Sequence, residues 1–168
     1  MMKLLAFFLV FALQTSFLRA QPKAGGAEKE ITKVMHDFMR AIIDKDSATF
    51  YSLFHAEPIA WVGNYKDKTQ ATRLQKNSKA KSYFTDDYKN FIRGIIGDKE
   101  STEEKFYNVK MVCDESIASL SFDYSFWFGG KKSNWGKESW GLIKVDGQWK
   151  ITSVLFSMEF ENVNPEPK

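Results

Sequence analysis

The sequence is poor in the residues that build metal centres and covalent cross-links. It contains one cysteine, Cys113, and two histidines in 168 residues. One cysteine cannot form a disulfide within the chain, and without a His-x-x-x-His pair or a cysteine cluster there is no zinc motif. A glycine-rich phosphate loop is missing as well. We therefore expect neither a metal nor a cofactor.

An excess of charge of one sign is also missing. Lys and Arg number 24 and Asp and Glu 21, which gives a formal net charge of +3. Lysines are frequent between Lys66 and Lys81, but Asp67 interrupts them, and Asp86 and Asp87 follow. Because nucleic-acid binding depends on a concentrated positive surface, this stretch predicts a solvated surface and no nucleic-acid partner.

Long hydrophobic runs are confined to the N-terminus. A short positive start at residues 1–3 precedes an apolar run at 4–13, and Leu18-Arg19-Ala20 is typical of a cleavage site. The run is well short of the roughly 20 apolar residues that a spanning helix needs. Residues 1–20 are therefore predicted to be a signal peptide. We expect an exported protein, periplasmic or extracellular, with no stable membrane anchor after cleavage.

The first half of the remaining chain is predicted to be mainly helical. Residues 21–27, which include two glycines, are interpreted as a flexible linker, and 28–160 as a single domain with a tail at 161–168. Apolar residues from Ile31 to Ile43 recur at steps of three and four, which predicts an amphipathic helix. Ser47 is expected to cap a second short helix, and a further helix is expected from about residue 85. Residues 64–84 have no clear pattern and are candidates for a lid.

The second half predicts a sheet. Runs of alternating residues at 105–113, 117–128, 134–145 and 148–160 are separated by turns, and a short β segment is expected at 58–64. Asp146-Gly147 between two such runs is a strong hairpin signal, because a two-residue type I′ turn needs positive φ at both positions. Helices followed by an antiparallel meander indicate an α+β domain with the helices packed on one face of the sheet.

The hairpin predicts which residues share the packed face. Counting back from the turn places Trp140 opposite Ser153 and Glu138 opposite Leu155, and we expect Tyr124 opposite Glu138. A carboxylate and hydroxyls on an otherwise apolar face indicate a pocket. Glu138 there is a candidate proton-transfer base, and Tyr124 is a candidate hydrogen-bond donor to a developing oxyanion.

The order of elements resembles the nuclear transport factor 2-like superfamily. The resemblance rests on Leu53-Phe54-His55 leading into Ile59-Ala60-Trp61-Val62 and on the ending Asp146-Gly147-Gln148-Trp149-Lys150-Ile151-Thr152, and it covers about residues 28–160. It is strongest with the secreted bacterial SnoaL-like, or cystatin-like, members. It implies a strongly curved antiparallel sheet that the N-terminal helices complete to a cone-shaped half barrel with a pocket inside.

The resemblance does not transfer a catalytic residue. Members include ketosteroid isomerase, scytalone dehydratase, limonene epoxide hydrolase and polyketide cyclases, but also proteins that only bind or dimerise. Many SnoaL-like relatives carry histidines in the last strand, where this sequence has Ser153 and Leu155 on the side that we expect to face the pocket. A histidine-based mechanism in that strand is thus not expected.

The abundance of aromatic residues predicts what the pocket binds. Large rings favour flat or apolar ligands, so a small apolar or aromatic ligand is expected. The candidate ligand-binding residues are Trp61, Tyr65, Tyr88, Trp140, Ser153 and His55.

Three functions remain open on the sequence. The first is a domain that binds a small apolar ligand without catalysis. The second is a cofactor-independent lyase, isomerase or hydrolase that uses Glu138 and Tyr124. The third is a structural homodimerisation module whose cone is filled by its own side chains. A homodimer would use the outer sheet face, where we expect Ile143, Val154, Phe156 and Met158.

Overall fold

The structure, a computed structural model, describes residues 25–56 and 58–167. The predicted signal peptide at 1–20 and the first part of the predicted linker lie outside the described residues. The last part of that linker is helical, because helix α1 spans Gly25–Asp44. Its buried side chains recur with helical spacing, as the sequence predicts: Ile31, Val34, Met35, Phe38, Ala41 and Ile42.

Two of the helix starts differ slightly from the prediction. Helix α2 spans Ser47–Ser52, and its cap is Asp46, whose side chain accepts a 3.0 Å hydrogen bond from the backbone nitrogen of Thr49. Helix α4 spans Tyr88–Gly97, and its cap is Asp87. In both helices an aspartate carboxylate binds a free N–H of the first turn, which stabilises a helix start.

Helix α3, Asp67–Lys76, occupies the segment whose sequence has no clear pattern. Its only buried residue is Thr69, so it has no apolar stripe to detect. The backbone nitrogen of Thr69 donates to Glu159 at 2.8 Å, and the hydroxyl of Thr69 accepts a 2.9 Å hydrogen bond from the nitrogen of Phe160. Polar contacts, rather than apolar packing, hold α3 to the last strand.

Six strands form one curved sheet that does not close. They are β1 Ala60–Tyr65, β2 Tyr83–Thr85, β3 Thr102–Cys113, β4 Ile117–Phe128, β5 Lys131–Val145 and β6 Gln148–Phe160, in the order β2-β1-β6-β5-β4-β3. All neighbours are antiparallel except β1 and β6, which are parallel. The predicted hairpin is confirmed: Asp146 and Gly147 have φ of 50° and 76°. The α+β fold class is also confirmed.

The register between β4 and β5 differs by two residues from the prediction. Tyr124 lies opposite Gly136, not opposite Glu138, and Phe122 lies opposite Glu138. Because side chains alternate along a strand, an even shift keeps them on the predicted face. Tyr124 and Glu138 therefore both face the helices, but they are not a directly opposed pair.

A bulge in β6 reverses the predicted faces of that strand. Leu142 pairs with Ile151 as predicted, but Gly141 pairs with Ser153, so Thr152 is one extra residue. Beyond it, Trp140 lies opposite Val154 and Glu138 opposite Phe156. The predictions that Ser153 and Leu155 face the pocket and that Val154, Phe156 and Met158 lie on the outer face are therefore wrong.

The core lies between the helices and the inner, concave face of the sheet. It is rich in aromatic contacts: the ring of Phe38 in α1 lies 4.9 Å from that of Phe50 in α2 and 4.8 Å from that of Trp140 in β5. Trp140 is completely buried. This packing fixes the positions of β4 and β5, two of the strands that carry polar side chains facing the interior.

The C-terminal residues after β6 lie against the outer face of the sheet. The indole nitrogen of Trp135 donates to the carbonyl oxygen of Asn164 at 2.9 Å, and Lys132 forms a 2.5 Å ion pair with Glu166. The hydroxyl of Tyr107 also donates to Glu166. The tail thus covers part of the face on which a homodimer contact is predicted.

Candidate functional site

An apolar cavity of about 150 Å³ lies between the helices and the inner face of the sheet. It is bounded by side chains from α1, α4 and all six strands, so it forms only when the whole domain is folded. Six of the rings that line it are those of Phe38, Trp61, Phe84, Phe91, Phe126 and Phe156. An apolar cavity of this volume accommodates a molecule about the size of benzene.

Glu138 projects from β5 into this cavity. Its side chain is buried, with 5% of the residue exposed, and one carboxyl oxygen accepts a 2.5 Å hydrogen bond from the indole nitrogen of Trp140. Burial raises the pKa of Glu138 to about 8, although the hydrogen bond from Trp140 acts in the opposite direction. Near neutral pH this carboxyl is therefore predominantly protonated and can donate a proton as well as accept one.

A second buried carboxyl, that of Glu104 in β3, lines the same cavity. It is 6% exposed and makes no hydrogen bond or ion pair with any other described residue. Burial raises the pKa of Glu104 well above its usual range, and the negative charge that Glu138 can carry raises it further. The two carboxyls therefore resist being ionised together.

Glu104 is the buried acid of the site that the sequence prediction missed. The first long strand was predicted to begin at Lys105, but it begins at Thr102. The alternation of Thr102, Glu104 and Phe106 places all three on the packed face, and Thr102 and Glu104 are buried. Extending the period of two by three residues would have found Glu104.

Tyr124 is buried beside the two carboxyls. Its hydroxyl lies 3.0 Å from the carbonyl oxygen of Ser157 and 3.2 Å from Oδ1 of Asn134, and it donates to these oxygens. Burial, and then the charges of Glu138 and Glu104, raise the pKa of Tyr124 well above its usual range. The Tyr124 hydroxyl therefore stays protonated, and its hydrogen is directed towards protein acceptors.

Ser157 can approach Tyr124 because β5 carries a glycine at this point. A Cβ on Gly136 would come within 1.9 Å of the Ser157 carbonyl oxygen, so no other residue fits there without moving the backbone. Gly136 lies directly opposite Tyr124 across the β4–β5 pair. This close approach holds the Tyr124 hydroxyl at the cavity wall.

The opening of the cavity is marked by Asp86, which is exposed and follows β2. Its carboxylate accepts hydrogen bonds from the backbone nitrogen of Asp87 and from the side-chain amide of Asn90. None of the described residues that line the cavity is Lys, Arg or His. The cavity therefore combines three carboxyl groups with aromatic rings and no compensating positive charge.

The remaining predicted ligand-binding residues are spread over the fold. Trp61 lines the cavity. Trp140 does not line it but donates a hydrogen bond to Glu138, which does. Tyr88 stacks on Phe54 with ring centroids 4.3 Å apart, away from the cavity lining. Their predicted binding roles stay predictions.

Tyr65, His55 and Ser153 lie outside the cavity lining. Tyr65 packs against the guanidinium of Arg73, 3.7 Å from its ring centroid. Nδ1 of His55 lies 2.6 Å from the carbonyl oxygen of Ala56. The hydroxyl of Ser153 accepts a 3.1 Å hydrogen bond from the backbone nitrogen of Gly141. Ser153 therefore stabilises the bulge from the outer side of the sheet.

Two observations concern residues 25–56 and 58–167 as a whole. No group of three or more His, Cys, Asp or Glu side chains in these ranges is arranged to hold a metal ion. None of the helices in the same ranges is both long and apolar enough to cross a membrane.

Comparison with known proteins identifies the fold. No family model matches the sequence, and no curated protein matches it significantly. Solved structures do match. A nuclear transport factor 2-like protein of unknown function from Pseudomonas putida is 14% identical, with a TM-score of 0.58 over 84% of this chain and 93% of that one. A scytalone dehydratase-like protein from Novosphingobium aromaticivorans is 16% identical, with a TM-score of 0.59 over 80% and 85% of the two chains.

A third solved structure extends the same pattern. A protein of unknown function with a cystatin-like fold from Nostoc punctiforme is 9% identical and has a TM-score of 0.54, over 79% of this chain and 90% of that one. Identities this low relate the chains through their fold alone. The helices that cover a curved, unclosed sheet, together with these matches, show that the chain has the nuclear transport factor 2-like fold.

Proposed function

We propose that the protein is an exported domain that binds a small, largely apolar ligand in the cavity between its helices and its sheet. The observation that carries the proposal is a benzene-sized space lined by aromatic rings with two buried carboxyls beside it. Ligand sites typically combine an apolar wall with a few polar groups that orient the ligand. A cone filled by its own side chains, the third function considered from the sequence, would not contain this space.

The binding proposal is tested with a neutral probe of matching size. Benzyl alcohol titrated into the mature protein should shift the amide signals of cavity-lining residues in two-dimensional NMR. Val154→Phe, which places a larger side chain into the cavity, should abolish the shifts. Leu155→Phe is the matched control, because the neighbouring Leu155 lies on the outer face and is 48% exposed.

Two results would contradict the proposal. One is the absence of any saturable shift with benzyl alcohol or other neutral probes of that size. The other is binding that Val154→Phe and Leu155→Phe leave equally intact, because the probe would then occupy another site. Circular dichroism of both variants establishes that they are folded.

A second candidate function is proton-transfer catalysis without a cofactor. It is favoured by one observation, the buried carboxyl of Glu138 at the wall of an apolar cavity, where burial raises its pKa to about 8; catalytic acids and bases need pKa values near the working pH. In this scheme Glu138 and Glu104 exchange a proton with the substrate. Tyr124 does not donate to the substrate in this scheme, in contrast to the role predicted from the sequence, because its own proton is held by Ser157 and Asn134.

Carbon-acid exchange tests this second function directly. Cyclohexanone is close in size to the cavity, and its α-hydrogens exchange in D₂O only slowly without a catalyst. The protein should accelerate the exchange, and Glu138→Gln should remove the acceleration while benzyl alcohol still binds. Exchange at the rate of buffer alone would exclude proton transfer from this class of carbon acid.

Export is supported by the sequence of residues 1–20 alone. N-terminal sequencing of the protein after expression in a bacterial host should find a mature chain that begins at Gln21. A chain that retains Met1 would contradict export through this segment.

A homodimer through the outer sheet face also belongs to the proposal. It is supported by apolar side chains exposed on that face: Val112, Ile117 and Leu155. Sedimentation should give a dimer for the wild type and a monomer for Leu155→Glu. A wild-type monomer at high concentration would exclude this contact.

A further inference from the structure

Three of the five polar side chains that line the cavity carry a carboxyl group: Asp86, Glu104 and Glu138. Glu138 has one oxygen bonded to Trp140, and its second oxygen has no bond to any described residue. Both oxygens of Glu104 are without such a bond. The hydroxyl hydrogen of Tyr124 is directed to Ser157 and Asn134, which leaves the side-chain amide of Asn134 and the protonated form of a carboxyl as the donors among these polar side chains of the described lining. The unpaired carboxyl oxygens can be reached from the cavity, so a donor from outside the chain can bind them there.

The charge of the cavity points to the same kind of ligand. Asp86, Glu104 and Glu138 are its ionisable lining groups besides Tyr124, and the lining contains no basic side chain among the described residues. On its far side Glu104 borders a surface depression with His36, Arg40 and Lys105, but Arg40 is paired with Asp44 at 2.5 Å and Lys105 with Glu103 at 3.2 Å. An anion would therefore find no positive charge in the lining, whereas a cation would meet two buried carboxyls, either of which becomes its counterion by losing a proton.

The aromatic wall adds a third, independent contribution. The faces of aromatic rings attract cations, and cages of such rings bind quaternary ammonium groups. Six of the rings around this cavity belong to Phe or Trp. An ammonium group has N–H donors and no acceptor, which complements carboxyl oxygens that lack donors.

We propose that the ligand of the cavity is a small organic cation, with its ammonium group bound by Glu104 and Glu138 and its apolar body packed among the rings of Phe91, Phe126 and Phe156. This inference rests on the proposed function, because it assigns a charge to the ligand of the same cavity. It also gives the missing role to Glu104, the acid without a partner.

Three probes of one shape separate charge from fit. Benzylamine, benzyl alcohol and benzoate share one ring and are cationic, neutral and anionic at pH 7. In isothermal titration calorimetry we expect benzylamine to bind at least about tenfold more tightly than benzyl alcohol, and benzoate not to bind. The doubly substituted protein with Glu104→Gln and Glu138→Gln should lose the preference for benzylamine and still bind benzyl alcohol. Asp123→Asn on the outer face is the control that should keep the preference.

Proton release provides a second readout. Because Glu138 is predominantly protonated at pH 7, binding of a cation should release close to one proton, seen as a dependence of the binding enthalpy on the ionisation enthalpy of the buffer. Tetramethylammonium, whose charge does not change with pH, should bind more tightly as the pH rises from 6 to 9. Glu104, Asp86 and Tyr124 face Glu138 across the cavity, and none of them supplies a positive charge that would oppose this trend.

The outcomes distinguish this inference from the proposed function. If benzyl alcohol binds in the cavity as tightly as benzylamine, the cation proposal is wrong and the apolar binding site stands. If none of the three probes binds, both proposals fall. If the preference for benzylamine survives the double substitution, the cation binds elsewhere and the proposal is overturned.

Discussion

The carboxyl groups on the two faces of the sheet differ in their partners and have pKa shifts of opposite sign. On the outer face Asp123 accepts hydrogen bonds from Lys137 at 2.5 Å and Asn108 at 2.8 Å, and the bond from Lys137 in particular lowers the pKa of Asp123. On the inner face burial raises the pKa of both Glu104 and Glu138, and no described cation is paired with them.

This difference shows which acids serve stability and which do not. A paired carboxylate at the surface contributes little but costs little. A buried acid without a counterion keeps its proton, because ionisation would leave a charge in an apolar space. The free energy of unfolding then falls as the pH rises, since the unfolded chain can release this proton and the folded chain cannot. Retaining two such acids beside a cavity is a typical arrangement of functional sites. The inner face is therefore where a functional explanation is needed.

The largest effect is expected from removing the residue that sets the faces of β6. Deletion of Thr152 would turn Val154, Phe156 and Met158 outward and Ser153 and Leu155 inward. Burying a large apolar side chain is worth about 1.5–3 kcal/mol, so the loss exceeds about 5 kcal/mol in total, comparable to the stability of a whole domain. We expect no cooperative unfolding transition by circular dichroism.

The control for this deletion keeps the chain length. Thr152→Ala removes only the 3.0 Å hydrogen bond from the Thr152 hydroxyl to the carbonyl oxygen of Gly141, which is worth about 1 kcal/mol. A deletion variant as stable as Thr152→Ala would show that β6 can shift its register without loss and that the two faces are interchangeable.

An intermediate effect is expected from the pH dependence of stability. The unfolded chain releases the proton of Glu138 near pH 4.5, whereas the folded chain holds it until about pH 8. The free energy of unfolding should therefore fall between these values, by roughly 5 kcal/mol for a full shift at about 1.4 kcal/mol per unit. Glu138→Gln keeps an acceptor for Trp140 and should flatten the decline.

Urea unfolding at pH 5, 6.5 and 8 measures this effect. Wild type and Glu138→Gln should differ little at pH 5 and diverge as the pH rises, with the variant more stable at pH 8. Parallel curves would mean that Glu138 titrates normally, and the contrast between the two faces would disappear.

The smallest effect is expected on the outer face. Asp123→Asn removes an ion pair whose Lys137 side chain is 73% exposed, so the loss should stay below about 1 kcal/mol. Its pH dependence has the opposite sign: since the folded protein lowers the pKa of Asp123, its contribution is present near neutral pH and disappears as the pH falls through the acidic range. Thermal unfolding at pH 7 and pH 3 tests this, and a loss as large as that of an inner-face change would contradict it.

Local signals explain how much of the fold could be predicted. Asp146-Gly147 predicts the hairpin because positive φ is required at both positions, and the apolar stripe of α1 predicts the helix because one face is buried. The inward position of Glu138 follows from the same alternation. These predictions depend on a few neighbouring residues, which is why they hold.

The errors arise where several parts of the chain act together. Thr152 and Ser153 are similar in size and polarity, so no local pattern shows which of them is the extra residue; the choice is fixed by Val154 and Phe156 packing into the core. Helix α3 has a single buried residue, and its attachment through Glu159 joins positions 90 residues apart. Glu104 lies near the start of the alternating pattern of β3, directly after an irregular segment, where the first residue of a strand is hardest to predict.

The bulge at Thr152 also has an evolutionary consequence. One inserted or deleted codon in β6 would exchange the residues that line the cavity with those on the outside, while every other strand keeps its sequence and its partners. A lineage with this fold can thus replace the chemistry of its binding site in a single step, provided that the exchanged side chains can be packed. Position-by-position comparison of relatives across this strand is meaningful only after the bulge has been located in each.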